Sequence, residues 1–116
     1  MPRRPKHWKH RVLYVGHDHV LTSFLKDALG PLDGNVIRSP CGRLSYCLIE
    51  SEMPYIGGSA IKYSLFLFDE VLPDMTGKEL AKFTRSIWHR KCTPILIVKQ
   101  GDDWERLLSE IMRLLG

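Results

Sequence analysis

No stretch of this 116-residue chain approaches the ~20 apolar residues that a membrane-spanning helix needs. The first apolar run, Val12 to Val15, is also too short for the core of a secretory signal, so a soluble, cytoplasmic protein is expected. Cysteine is scarce: Cys41, Cys47 and Cys92 are odd in number and lack metal-ligand spacing. That pattern fits reduced thiols, not a disulfide framework or a zinc site. Glycine-rich phosphate loops, nucleophile elbows and paired catalytic carboxylates are missing, and Gly57-Gly58-Ser59 lacks the flanks such a loop requires. An independent enzyme is not expected.

Acid is absent from residues 1 to 11, which hold Arg3, Arg4, Lys6, Lys9 and Arg11. With those five removed from the 17 basic residues, the remainder carries 12 against 13 acidic, so the net charge of +4 belongs to the N-terminal end. We divide the chain into a basic arm, 1–10, and a domain, 11–116. The arm offers charge to phosphates or an acidic partner, and Trp8 within it suggests docking. Its bland reading is a solvated, solubilising end, which argues against nucleic acid as the partner. The whole chain is 44% hydrophobic and 26% charged, without internal repeats or low-complexity segments, which describes one globular domain.

Four short runs read as strands: Val12 to Val15, Asn35 to Arg38, Ser64 to Phe68 and Pro94 to Val98. The first, third and fourth are apolar almost throughout, as strands covered on both faces of a parallel sheet must be. Helical stripes lie between them. His19 to Leu29 has Val20, Leu21, Phe24, Leu25, Ala28 and Leu29 on one side, with Asp18 to cap it and Gly30-Pro31 to end it. Gly42 to Ser51 carries Leu44, Cys47, Leu48 and Ile49 inward, and a loop, Glu52 to Ile61, follows. Thr76-Gly77-Lys78-Glu79 is a capping box opening a helix through Leu80, Phe83, Ile87 and Trp88. A last helix starts at Asp102 or Asp103 with the stripe Trp104, Leu107, Leu108, Ile111, Met112 and Leu115. Alternating strands and helices of this kind predict a doubly wound α/β sandwich.

Ligands and chemistry in open α/β sheets gather beyond the carboxyl ends of the strands. The informative residues are therefore Gly16-His17-Asp18, Asp69-Glu70 and Lys99-Gln100, and foremost Asp69 at the tip of a buried strand. Its bland reading is a turn-capping aspartate. The segment Phe68-Asp69-Glu70-Val71-Leu72-Pro73-Asp74-Met75-Thr76-Gly77 resembles the phosphoacceptor segment of CheY-like response-regulator receiver domains. The likeness runs on through Lys78 to Ile87, and Arg11 to Leu29 and Thr93 to Val98 are similar to the family's first strand and helix and its fourth strand. It implies a flavodoxin-like sheet in the order 2-1-3-4 and a signalling role in which Asp69 accepts a phosphoryl group from a histidine kinase. Pro73 and Gly77 are its further motif residues.

Phosphoryl transfer needs its charge neutralised, usually by Mg²⁺ held between carboxylates. The sequence departs from the family there. Two adjacent acids are replaced by Gly16 and His17, leaving Asp18; a Ser or Thr closing the fourth strand is replaced by Lys99. Only 18 residues follow Val98, so the fourth helix and fifth strand are expected to be missing, with truncation after the fourth helix as the alternative. Asp69 and Asp18 then supply at most two carboxylates to a weakly held Mg²⁺. In the geometry that the resemblance implies, Lys99 lies beside Asp69 and should pair with it; its bland reading is a solvated lysine. His17-Asp18-His19 suggests a transition-metal site, but with Asp18 capping the helix the two imidazoles diverge.

The expected function is an atypical receiver-like domain acting by protein–protein interaction, with Asp69 a vestigial or active phosphoacceptor. Its rivals are a conventional phosphorelay receiver using a divalent ion and a nucleic-acid-associated protein using the arm. Partners would be a histidine kinase or an output protein. Without a fifth strand, Pro94 to Val98 becomes an edge that either pairs with a second copy or is covered by the last helix burying Trp104, Leu108 and Met112. An oligomer is expected.

Overall fold

The computed structural model describes residues 10–32, 34–50, 63–87 and 93–115. The remainder of the basic arm with Trp8, the loop 52–61 with its glycine pair, Trp88, Cys92 and the side chains of Cys47 and Leu48 lie outside the described residues.

Strands β1 (His10–Val15), β2 (Gly34–Ser39), β3 (Leu65–Asp69) and β4 (Ile95–Val98) alternate with helices α1 (His19–Leu29), α2 (Gly42–Glu50), α3 (Gly77–Ser86) and α4 (Trp104–Leu115). All pairings are parallel, in the order β2-β1-β3-β4, as expected. β1 begins at His10, opposite Gly34, so the sheet takes in the last residue assigned to the arm. β1 and β3 are central, and Val12 to Val15 and Leu65 to Phe68 are fully buried. Alternate residues point to opposite faces. Val12, Tyr14, Leu65, Leu67 and Val98 meet Leu21, Leu25 and Leu29 of α1 and Leu107 and Ile111 of α4. Leu13, Val15, Phe66 and Phe68 meet Ile49 of α2 and Leu80 of α3.

The caps form as the sequence predicts. Asp18 accepts the Leu21 N–H at 2.9 Å, and Thr76 and Glu79 make a reciprocal capping box. Three apolar residues expected to point inward do not. Val20 and Leu44 are 67% and 59% exposed, and Met112 is 39% exposed. Each helix lies on one face of a narrow sheet, so only residues one turn apart reach it: Leu21, Leu25 and Leu29 in α1, Ser45 and Ile49 in α2, Leu107 and Ile111 in α4.

Helix α4 shares a layer with α1, and Phe24 packs on Trp104 with ring centroids 5.5 Å apart. A right-handed crossover from β4 to a strand beyond it would run on the α2/α3 side. α4 instead returns over the sheet as a cover, in the manner of a terminal helix. Truncating Ile111 to Ala should therefore cost about 2–5 kcal/mol in urea unfolding, whereas Met112→Ser on the same helix should stay within about 0.5 kcal/mol. Equal effects would show that α4 is not seated this way.

Candidate functional site at the tip of β3

Asp69 ends β3 in register with Val98 of β4, with its carboxylate at the rim of the sheet. Opposite it, Tyr14 of β1 sends its side chain along the α1 face until the hydroxyl clears the strand end. That hydroxyl donates to Asp69 Oδ1 at 2.8 Å, and the His17 backbone N–H donates to Asp69 Oδ2 at 3.4 Å. The Asp18 N–H in turn donates to the Tyr14 hydroxyl at 3.4 Å. The two strand tips are thus joined through one phenol and one carboxylate.

Gly16 is required by this closeness. A Cβ there would stand 2.3 Å from Asp69 Oδ2 and 2.4 Å from the Tyr14 hydroxyl, so no side chain fits while the pair exists. On the other side of Asp69, a Cβ on Gly77 would meet the Asp69 carbonyl oxygen at 2.3 Å. The loop between them is closed by the Gly77 N–H donating to the Glu70 carbonyl and the Leu72 N–H donating to the Met75 carbonyl, both at 2.9 Å. Pro73 sits exposed at its turn. Asp74 reaches across to α2, accepting the Gly42 and Arg43 N–H groups at 3.0 and 2.8 Å, which holds its carboxyl below the usual carboxylate range.

Burial pushes the Asp69 carboxyl above its ordinary value, and the bonds from Tyr14 and His17 offset part of that. Burial and the neighbouring Asp69 likewise raise the Tyr14 phenol, so it remains a donor at any ordinary pH. A cleft of about 250 Å³ opens beside the pair, lined among others by Asp18, Glu70, Lys99 and Trp104.

The structure therefore brings Gly16, His17, Asp18, Glu70 and Lys99 around Asp69, but the expected Lys99–Asp69 ion pair does not form. Lys99 is exposed, and its backbone N–H donates to Asp102 Oδ2 at 2.8 Å in a turn completed by Gly101 at φ 84°. The carboxylate is satisfied by Tyr14 instead. Asp18 spends one oxygen on its cap, and no three His, Cys, Asp or Glu side chains converge on a point among the described residues. Tyr14 and Asp74 are the participants that sequence reasoning missed. Tyr14 looked like one more buried strand residue, and its only signal was a polar tip two residues before a glycine at the strand end.

No protein-family model and no curated protein matches the sequence. Solved structures do match the fold. The chemotaxis response regulator CheY4 of Vibrio cholerae is 19% identical with a TM-score of 0.72, over 90% of this chain and 98% of that one. The HemR receiver domain of Leptospira biflexa is 26% identical with a TM-score of 0.58, over 92% and 76%. The receiver domain of the Pseudomonas aeruginosa sensor histidine kinase PA1611, which has a magnesium ion coordinated in its active-site cleft, is 16% identical with a TM-score of 0.69, over 92% and 98%. The chain has the CheY-like receiver fold. Within that fold the segment from Asp69 to Gly77 forms the loop out of the third strand, as the resemblance implied.

Two outcomes test the electrostatics. Tyr14→Phe removes a donor that favours the charged carboxylate, so the Asp69 pKa should move further up in an NMR titration of the side-chain carboxyl; an unchanged midpoint contradicts the bond. Because Asp69 keeps its proton to higher pH folded than unfolded, stability should fall as pH rises from the ordinary carboxylate value through the folded one. Asp69→Asn should remove that fall and melt higher than wild type at neutral pH; a lower melting temperature there would contradict the shift.

Proposed function

We propose that this chain is an atypical receiver domain of cytoplasmic signal transduction, working by protein–protein interaction without catalysing a reaction, in which Asp69 is a vestigial phosphoacceptor. The observation that carries this is the Tyr14–Asp69 hydrogen bond, which occupies the carboxylate on the side where a second acid would stand. The likeness to receiver domains, several of them parts of histidine kinases, supports a signalling partner of that kind or an output protein. No helix among the described residues is long and apolar enough to cross a membrane, which accords with this setting.

The chemistry supports the reading in two ways. An attacking carboxylate must be free, whereas Asp69 is half-buried and bonded on both oxygens. The phosphoryl charge must also be neutralised, and of the acids beside Asp69 one, Asp18, has an oxygen committed to the start of α1. Such a site holds its surrounding surface in one state without phosphate, which suits a docking module.

Incubation with a small phosphodonor and Mg²⁺, followed by intact-mass measurement, should leave the chain unmodified over the minutes in which an ordinary receiver is phosphorylated, and an amide NMR titration should show Mg²⁺ binding only weakly. Rapid Mg²⁺-dependent modification of Asp69, lost in Asp69→Asn, would establish the conventional phosphorelay receiver instead.

A further inference from the structure

Among the described residues the β4 edge is open in a way the sequence did not disclose. Pro94 does not protect the start of this edge: its carbonyl accepts the Phe66 N–H at 3.0 Å, so its backbone faces β3 and its missing donor is on the inner side. By alternation Leu96 and Val98 also bond inward, and the Glu70 N–H reaches the Val98 carbonyl at 2.8 Å. The N–H and C=O groups of Ile95 and Ile97 therefore point outward. Both side chains are apolar and half-buried, and no charged side chain lies within β4 itself; the Arg85 guanidinium donates to the Thr93 carbonyl just before it, at 2.7 Å.

Above this edge runs α4. The groove between them is lined by Leu96, Ile97, Asp103, Arg106 and Glu110 among others. Along that flank Asp103, Arg106, Glu110 and Arg113 alternate in sign, and Arg113 pairs with Glu110 within the helix. Their positions are symmetric about 108. An antiparallel copy of the same helix would consequently set Arg106 against Glu110 and Asp103 against Arg113, each twice.

The strand has a matching symmetry. Antiparallel pairing centred on Leu96 sets Ile95 against the partner's Ile97, so the two outward residues of each copy exchange both their hydrogen bonds. Leu96 stands about 7 Å back from the strand end, and position 108 stands about 6 Å into the returning helix. The two centres lie at similar depths from the end of β4 and the start of α4, so one two-fold axis can serve both. That axis is perpendicular to the sheet and leaves both α4 helices on the same face, side by side.

We propose that two copies of this chain associate through β4 and α4, forming a continuous eight-stranded sheet with the α4 charge ladders facing each other. The partner is a second copy because both the donor–acceptor pattern and the charge order are complementary to themselves.

Sedimentation velocity over a concentration series, run on the full chain, tests this. The wild type should sediment as a concentration-dependent dimer that weakens with added salt. Ile97→Pro removes an outward N–H, together with a half-buried side chain at the edge of the core, and should give a folded monomer. Arg106→Glu places like charges opposite Glu110 of the partner and should weaken the dimer about tenfold or more. The double swap Arg106→Glu with Glu110→Arg restores every opposite-sign contact between copies and should recover the dimer. A monomer at all concentrations overturns the proposal, as does a dimer indifferent to both Ile97→Pro and Arg106→Glu. Should Ile97→Pro fail to fold, the charge swap decides alone: a double variant no tighter than Arg106→Glu rejects the antiparallel ladder.

Discussion

Burial of the two central strands on both faces is the constraint from which the rest of this structure follows. A parallel strand with no exposed side chain has to be covered by helices above and below, and the crossovers between such strands place α1 on one side and α2 and α3 on the other. That arrangement leaves one half of the upper face bare over β3 and β4. α4 fills it with Leu107 and Ile111, and in doing so sets Trp104 at the mouth of the cleft beside Asp69. The site is thus bounded by an element whose own reason for being there is the core.

At the strand tips the same close packing has a polar consequence. β1 and β3 are adjacent, so the last side chains of each emerge within hydrogen-bond reach, and the phenol of Tyr14 is long enough to meet the carboxylate of Asp69. Each group then sets the properties of the other. The carboxylate raises the phenol, the phenol restrains the rise of the carboxyl, and Gly16 must lack a side chain because the pair fills its space. A residue that looks like the loss of a metal-binding acid is, in the folded chain, a steric condition for a different contact. Asp74 extends the effect by tying the loop after Asp69 to the first turn of α2.

The sheet edge obeys a separate logic. Whether a residue on an edge strand is protected depends on which way its backbone faces, and this alternates residue by residue. Pro94 faces inward and leaves the two isoleucines to face outward. Together with the alternating charges on α4, this makes the flank of the molecule complementary to itself.

Much was legible in the sequence because it rests on periodicity and local chemistry. Continuous apolar runs marked the strands, three-to-four spacing marked the helices, and Asp18 and Thr76 announced their caps, since capping is decided within four residues. Asp69 stood out because a carboxylate at the end of a buried run is conspicuous. The sequence alone did not reveal that Tyr14 would hold that carboxylate, that Lys99 would turn to solvent, or that Val20, Leu44 and Met112 would be left outside the core. These depend on which strand tips abut, how the turn at Gly101 steers the chain, and how much of each helix a four-stranded sheet can cover. Such distances exist only between segments far apart in the chain, and the fold alone sets them.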